Sequence, residues 1–356
     1  MQLHALRVSA LSHPIRDAVV LDLAVPEALA QSFRFIPGQY LTLEAEVEGE
    51  RLRRPYSICS SPRERELRIA IKRVAGGVFS NWANDTLHVG DELAVLPPQG
   101  RFTLDPPTGP RHILAFAAGS GITPILSILE HTLASEPKSR CTLYFGNRSH
   151  SSTLFRETLC GLKDRYLERF QLGFVMSREH QDLELLNGRI DATKCAAIFA
   201  QWVPLAPIDQ VLVCGPETMI DAVCGALKHA AYPEARIKTE RFVAAAASRR
   251  RIERPSAGGP AEARAEIVIV QDGVRKSFHL ARNSLSIIDG AAAAGIELPH
   301  SCKGGMCATC RARLLEGEVE MDTNYVLEDY EIARGEVLCC QSFPLSDRVV
   351  IDFDHI

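Results

Sequence analysis

Over residues 1–105, apolar positions come in short runs that alternate with polar ones and break at turn residues. Leu3–Ser9, Ala18–Ala24, Tyr40–Glu46, Leu67–Val74 and Glu92–Leu96 are separated by Pro37-Gly38, Glu48-Gly49, Gly76-Gly77 and Pro97-Pro98. Period-two runs with such punctuation predict β-strands, and their close spacing predicts an antiparallel barrel.

From residue 106 to 243 the period changes. Ile113–Ala118 is continuously apolar, as a strand buried on both faces must be. Gly119-Ser120-Gly121-Ile122-Thr123-Pro124 follows at once, and Ile125–Leu133 then has helical spacing. A strand, a glycine turn and a helix in succession aim backbone N–H groups at a pyrophosphate. Pro124 suits a helix start, where its missing N–H has no partner to lose. Further apolar runs, Cys141–Phe145, Leu172–Met176 and Gln210–Val213, end in Gly146-Asn147-Arg148, Ser177-Arg178-Glu179 and Cys214-Gly215-Pro216-Glu217. Strands alternating with helices predict a parallel sheet that binds ligands at its carboxyl edge.

Residues 244–263 hold four arginines, two glycines, two prolines and few large apolar groups, and read as a linker. A flexible chain of that length spans roughly 25 Å. Beyond it, Ala265–Gln271, Asp272-Gly273 and Arg275–Leu280 read as a hairpin. Ser286-Ile287-Ile288-Asp289 has the form of a helix start, Gly295 is a C-terminal stop, and Ala312–Leu315 and Val349–Phe353 are further strands. The chain thus divides into a barrel (1–105), a parallel-sheet α/β domain (106–243), a linker (244–263) and a small α+β domain (264–356).

The densest chemistry lies in that last domain. Cys302, Cys307 and Cys310 stand as C-x₄-C-x₂-C, the plant-type [2Fe–2S] spacing, with Cys339 and Cys340 downstream. Soft thiolates suit an iron–sulfide core. Gly304 and Gly305 are expected to take φ > 0 and bring N–H groups toward cluster sulfur. A four-thiolate zinc site is the rival reading, although no second closely spaced cysteine pair follows at the usual interval.

Composition adds limits. The 356 residues are 46% hydrophobic and 24% charged, with net charge −4. No apolar run approaches the ~20 residues of a membrane span, and the first residues lack a signal peptide's apolar stretch. Eleven cysteines, an odd number, do not make a disulfide framework. A cytoplasmic protein is expected, without nucleic-acid or membrane partners. Residues 1–243 carry 27 basic against 27 acidic side chains, whereas residues 264–356 carry 9 against 15. The acids from Glu316 to Glu331 are either a solvated face or a docking face for a basic partner.

Within the barrel, Arg53-Arg54-Pro55-Tyr56-Ser57 joins a fixed cation, a ring and a hydroxyl, and Gly76-Gly77-Val78-Phe79-Ser80 runs a turn into a helix start that Ser80 could cap. Together these motifs resemble the ferredoxin–NADP⁺ reductase superfamily. The resemblance implies that Arg54 and Pro55 lie at the flavin, Tyr56 packs on its ring system, and Ser57 meets the edge near N5. Gly77, Val78 and Ser80 match its phosphate turn, and Lys72 and Val74 fall where the family lines the flavin. Gly119, Ser120, Gly121 and Thr123 match the nicotinamide-dinucleotide loop, and Cys214-Gly215-Pro216 the turn beside the nicotinamide. Ser57 and Cys214 are the implied catalytic pair. Ser177 and Arg178, with Arg148 nearby, match members that hold a 2′-phosphate, which implies NADPH rather than NADH. Phe242 falls where relatives place an aromatic. FAD as the flavin follows from the same resemblance.

The C-terminal domain resembles the β-grasp plant-type ferredoxins, whose ligand pattern implies Cys340 as fourth ligand and Cys339 in place of a small residue. Cys302–Cys310, Asp322-Thr323-Asn324-Tyr325, Val337-Leu338-Cys339-Cys340-Gln341 and Val350–Asp354 together resemble the family of reductase subunits that serve ring-1,2-phenylacetyl-CoA epoxidases. The implied function is a relay from NADPH through FAD and a [2Fe–2S] cluster to a di-iron epoxidase. Two alternatives remain at this stage. The same relay could serve another aromatic-ring or alkyl oxygenase, or the chain could be a non-enzymatic redox sensor, against which the lack of a DNA-binding or signalling module argues. If the acidic run is a docking face, charge reversal at Glu316, Glu318 and Glu320 slows acceptor reduction and leaves flavin reduction unchanged in stopped-flow traces. If both rates stay unchanged, it is a solvated face.

Overall fold

The computed structural model describes residues 2–64, 66–242, 264–282 and 284–355. The expected linker, 244–263, lies outside them. The described chain forms two compact units, and residues 2–52 and 56–242 build the larger.

Its first layer is a six-stranded antiparallel sheet from β1 (His4–Ile15), β2 (Ala18–Ala24), β3 (Tyr40–Val47), β4 (Glu50–Ser57), β5 (Leu67–Lys72) and β6 (Glu92–Gln99), in the order β4-β3-β6-β1-β2-β5. The two ends meet through a bridge between Ile58 and Ile69 and a 2.8 Å bond from Cys59 N–H to the Arg68 carbonyl. That closure makes a barrel and leaves few free edges. Helix α1 (Val78–Thr86) follows β5 and buries Phe79 and Ala83. By sequence pattern residues 53–61 are an odd mixture for a strand end, yet Glu50–Ser57 forms the full strand β4. Its arginines and Pro55 are tolerated because β4 lies at the end of the strand order. The same pattern ends β6 at Leu96. The strand runs on to Gln99 because pairing with β1 stops at Val95, and a register shift against β3 absorbs Pro97 and Pro98. β5 ends at Lys72, two residues before the expected Val74.

The second layer is a parallel sheet of β7 (His112–Ala118), β8 (Arg140–Asn147), β9 (Phe170–Met176), β10 (Gln210–Gly215) and β11 (Ile237–Arg241), in the order β11-β10-β7-β8-β9. Helices α2 (Ile122–Ser135), α3 (Arg156–Arg165), α4 (Ala192–Gln201) and α5 (Glu217–His229) connect the strands. Strand β11 is missed by the sequence pattern because Lys238, Glu240 and Arg241 look like surface. It is an edge strand supported by β10 on one side. The strand order reverses between β7 and β10, the switch point where open α/β sheets bind ligands. Helix α2 is apolar nearly all round, and one core runs from Ile15, Val20, Ala70 and Phe102 of the first layer into Ile125, Leu129 and Phe145 of the second. The Ser127 hydroxyl fixes that packing with a buried 2.6 Å bond to the Ser60 carbonyl.

The smaller unit, described over 264–355, holds a five-stranded mixed sheet. Its strands are β12 (Arg264–Gln271), β13 (Val274–Ala281), β14 (Arg311–Glu316), β16 (Glu336–Leu338) and β18 (Arg348–Asp352), in the order β13-β12-β18-β14-β16, with β12 and β18 parallel. β15 (Val319–Met321) pairs with β17 (Ser342–Pro344), while α6 (Ile287–Ala293) and the short α7 (Asp329–Ala333) complete the unit. Asp272 and Gly273 both have positive φ, as a two-residue hairpin turn of this hand requires. Ile287, Ile288 and Ala291 of α6 pack on Ile267, Ile269, Leu280 and Ile351 of the sheet, the grasp expected from the sequence.

Ser286 caps α6 by accepting the Asp289 N–H at 3.2 Å. Ser286→Ala should cost the smaller unit about 1 kcal/mol. Thermal unfolding followed by cluster absorbance checks this, with the melting of the larger unit unchanged.

Candidate functional site

The switch point is built on backbone contact. Gly119 has φ +57° and starts the turn after β7, and a Cβ on Gly121 would overlap the Cys214 carbonyl oxygen and lie 2.8 Å from Gly215 N. Only glycine lets these two strand ends touch. Gly215 is held as tightly, since a Cβ there would meet Met219 Cε at 2.7 Å and Ala118 N at 3.1 Å. Thr123, buried in the first turn of α2, donates to the Ser120 carbonyl at 2.9 Å and shapes the turn from inside. Pro216 stands at the N-cap of α5.

Three side chains from separate elements meet beside this turn. Ser57, buried at the end of β4, donates to Glu240 Oε2 at 3.3 Å. Glu240 lies on β11 directly across from Cys214 on β10. Desolvation lifts the Glu240 carboxyl to about 8, against a downward pull from the Ser57 hydroxyl. Burial, reinforced by the Glu240 charge, pushes the Cys214 thiol well above its ordinary range. At neutral pH this group is a protonated carboxyl, a hydroxyl and a neutral thiol. It can donate hydrogen bonds and exclude water, but it offers no thiolate nucleophile. The sequence reading identifies Ser57, Cys214 and Phe242 but misses Glu240. The signal lay in Glu240-Arg241-Phe242, once that run is seen as a strand beside β10. Phe242 itself is 41% exposed.

On the barrel, Tyr56 packs its ring 5.7 Å from Phe79, which in turn meets Trp82 edge-on at 5.3 Å. Arg54 Nη1 donates to the Arg53 carbonyl at 2.7 Å, and Pro55 lies between Arg54 and Tyr56 on β4. Lys72 pairs with Asp17 at 3.6 Å. Ser80 does not cap α1. The cap is Gly77, and the Ser80 hydroxyl folds back inside the first turn to accept Val74 N–H at 3.2 Å and reach the Gly77 carbonyl at 3.4 Å. A Cβ on Gly77 would come within 2.6 Å of that hydroxyl, so the glycine is required for this arrangement. Val74 and Val78 flank the first turn of α1 and are 40% and 39% exposed, and the first amides of a helix lack partners within it. Exposed apolar side chains flanking such amides fit a ligand that is part ring and part phosphate, as a flavin nucleotide is.

At the far edge of the parallel sheet, Ser177 N–H and Arg178 N–H donate to the carbonyls of Asn147 and Arg148, both at 2.9 Å. Ser177, Arg148 and Arg178 are all exposed there.

In the smaller unit the cysteine loop has positive φ at Lys303, Gly305 and Ala308. The expectation for Gly305 therefore holds, whereas Gly304 lies outside the left-handed region and its neighbour Lys303 takes that conformation. Gly305 is also pressed from outside, since a Cβ would stand 2.6 Å from the Thr323 carbonyl oxygen. Cys302 N–H points at Cys307 Sγ (3.5 Å) and Gly304 N–H at Cys302 Sγ (3.3 Å). The thiols form two hydrogen-bonded pairs, Cys302 with Cys307 and Cys310 with Cys340, and Cys340 is within electrostatic reach of both Cys302 and Cys310. Hydrogen bonding from Cys302, and then from the Thr309 groups, lowers the Cys307 thiol below its ordinary value. Among the described residues no three His, Cys, Asp or Glu side chains gather around one point as a single ion asks. Two pairs are what a two-iron core needs, so the donor set fits that group. Cys339 is fully buried in the core and desolvation lifts its thiol far above the ordinary range, the behaviour of a packed apolar residue. Asp322 N–H bonds to the Gln341 carbonyl at 3.0 Å, while Glu316 sits at the opposite end of β14 from Cys310, beside Arg348 at 3.4 Å.

The oxidoreductase FAD-binding domain family matches residues 6–104, the oxidoreductase NAD-binding domain family matches 116–225, and the 2Fe-2S iron-sulfur cluster binding domain family matches 269–345. The chain is 42% identical over 352 residues to a subunit of the 1,2-phenylacetyl-CoA epoxidase of Escherichia coli K12, covering 99% of this chain and 98% of that one. It is 33% identical to the ferredoxin reductase component of the 3-ketosteroid-9-alpha-monooxygenase of Rhodococcus rhodochrous, over 98% and 96% of the two chains. Phthalate dioxygenase reductase shares the fold, with a TM-score of 0.60 at 24% identity over 99% of this chain and 98% of that one.

Two outcomes test the site. Cys340→Ala should remove the visible iron–sulfur bands and the bound iron, and Cys339→Ala should keep both. The reverse result would exchange the two assignments. For Glu240, a carboxyl raised from 4.5 to about 8 costs nothing where both folded and unfolded chains hold the proton. As pH climbs from 4.5 the unfolded chain releases its proton first, so folding stability falls up to about pH 8 and then levels. Glu240→Gln should flatten that fall in melting temperatures measured between pH 5.5 and 8.5.

Proposed function

The chain belongs to the oxygenase-reductase family that includes this subunit of the Escherichia coli 1,2-phenylacetyl-CoA epoxidase, and from that premise we propose an NADPH-dependent relay that feeds electrons to the di-iron epoxidase acting on phenylacetyl-CoA. The end-to-end match at 42% identity carries this reading, because it spans both nucleotide-binding domains and the cluster domain. As in its relatives, the chain is an oxidoreductase and an electron-transfer component of an oxygenase system.

When bound, a flavin takes a hydride from a nicotinamide and gives up electrons singly, and a [2Fe–2S] cluster carries one electron at a time. The residues of this chain hold and orient these carriers. Arg54 and the first amides of α1 would meet the pyrophosphate of FAD, with Tyr56 against its ring system. Val74 and Val78 would cover its apolar surface, with Lys72 and Pro55 close by. Gly119, Ser120, Gly121 and Thr123 would receive the dinucleotide pyrophosphate. Arg148, Ser177 and Arg178 would select the 2′-phosphate, where a carboxylate would repel it. Cys214, Gly215 and Pro216 would border the nicotinamide, and Phe242 would lie near the flavin. Ser57 and Glu240 keep a proton-bearing, water-poor pocket there, with the Glu240 proton retained up to about pH 8. Cys302, Cys307, Cys310 and Cys340 would ligate the cluster.

All eleven cysteines stand free of disulfides, which suits a reducing compartment such as the cytoplasm. Among the described residues no helix is long and apolar enough to cross a membrane.

The test is reconstitution. The loaded protein is mixed with purified phenylacetyl-CoA epoxidase and, separately, with a ring-hydroxylating dioxygenase and an alkane monooxygenase, and NADPH-dependent product is measured. Turnover with the epoxidase at least about tenfold above the others is expected. Equal or greater turnover with another oxygenase would overturn the partner assignment.

A further inference from the structure

Beside the two exposed arginines at the carboxyl edge of β8 and β9 stands a carboxylate that would repel a phosphate if it were free. Glu179 directly follows Arg178. Its Oε2 accepts the backbone N–H of His150 at 2.8 Å, and its Oε1 lies 2.6 Å from His150 Nδ1. The contact lowers the Glu179 pKa, chiefly through the imidazole and then the backbone bond, with Arg156 adding a smaller pull.

His150 is itself held in place. It opens a short 3-10 turn after β8 that a reciprocal pair of bonds between Ser149 and Ser152 closes, and its ring packs edge-on against Phe174 at 6.2 Å. The two loops are also stitched through backbone, Ser177 N–H to the Asn147 carbonyl and Arg178 N–H to the Arg148 carbonyl. Glu179 thus joins the loop after β9 to the loop after β8, and its charge points to His150 instead of to the ground between Arg148 and Arg178.

We propose that the His150–Glu179 bond is the positioning device for 2′-phosphate selection, holding Arg148 and Arg178 side by side and keeping the neighbouring Glu179 carboxylate turned away from the anion. This rests on the reading of the Ser177–Arg178 loop as the 2′-phosphate site. His150 and Glu179 touch no part of the dinucleotide; they act through the arginines. Removing the imidazole frees Glu179 to turn toward either guanidinium and compete with phosphate for it. A loss of general folding would weaken every dinucleotide alike, whereas a loss of this device weakens only those bearing the extra phosphate.

The experiment uses the full-length protein and titrates 2′,5′-ADP and 5′-AMP by calorimetry, with KM and kcat for NADPH and NADH measured on ferricyanide alongside. In the unaltered protein, 2′,5′-ADP should bind at least about tenfold tighter than 5′-AMP. Equal binding of the two would overturn the underlying assignment of the loop. His150→Ala and Glu179→Ala should each weaken 2′,5′-ADP about tenfold and raise the NADPH KM to match. Binding of 5′-AMP, the NADH KM and kcat should stay within about twofold. His150→Asn, which keeps a side-chain amide donor for Glu179, should restore most of the loss. Unchanged 2′,5′-ADP binding in both alanine variants would overturn the device while leaving the loop assignment intact. Equal weakening of both nucleotides would reduce the pair to a structural brace and overturn the proposal as well.

Discussion

The larger unit depends on one backbone contact, that of Gly121 with Cys214 and Gly215. A single methyl group at Gly121 would overlap the Cys214 carbonyl, so the turn after β7 can lie on the end of β10 only with glycine there. That contact fixes the switch point of the parallel sheet and brings a helix N-terminus next to a strand end. It also decides where β10 presents Cys214, and through the parallel ladder where β11 presents Glu240. The shared core beneath α2 then brings Ser57 of the barrel to the same spot. A cluster of neutral, largely buried hydrogen-bonding groups follows from these packing constraints. This suits a protein whose difficult chemistry belongs to bound carriers.

The smaller unit is built around a different constraint. Three departures into positive φ, at Lys303, Gly305 and Ala308, turn the loop so that its amides face its own sulfur atoms. Lys303 and Ala308 hold two of those positions at a conformational cost that non-glycine residues rarely bear. Cys339 fills the core directly behind Cys340, so neighbouring thiols in the sequence have opposite fates. One faces the loop and the other faces Ile288 and the sheet.

The legible parts of this chain were those in which local chemistry and periodicity agree. The spacing of Cys302, Cys307 and Cys310, the buried run before Gly119, and the Ser286 cap all carry their meaning within a dozen residues. Strands β4 and β11 were hidden because each lies at an end of its strand order and carries charges and, in β4, a proline that usually signal a surface loop. Glu240 was lost with β11, since a half-buried acid is recognisable only once its strand is known to lie beside β10. Ser80 was misread as a cap because the sequence cannot distinguish an N-cap serine from one in the first turn that bonds backward. The His150–Glu179 pair joins residues 29 positions apart across two strand ends, and no local pattern announces it.

In the relay proposed for this chain, reducing equivalents enter at a flavin in the larger unit and leave through a cluster on paired thiolates in the smaller one. The most direct measurement is an anaerobic titration of the cofactor-loaded protein with NADPH, followed by absorbance and low-temperature electron paramagnetic resonance. Both the flavin band and the broader iron–sulfur absorbance should bleach, and a rhombic signal of a reduced [2Fe–2S] cluster should grow as the second falls. In Cys340→Ala the flavin should still bleach and the signal should be absent. A cluster reduced by NADPH without flavin, or a flavin that bleaches while an intact cluster stays oxidised, would contradict it.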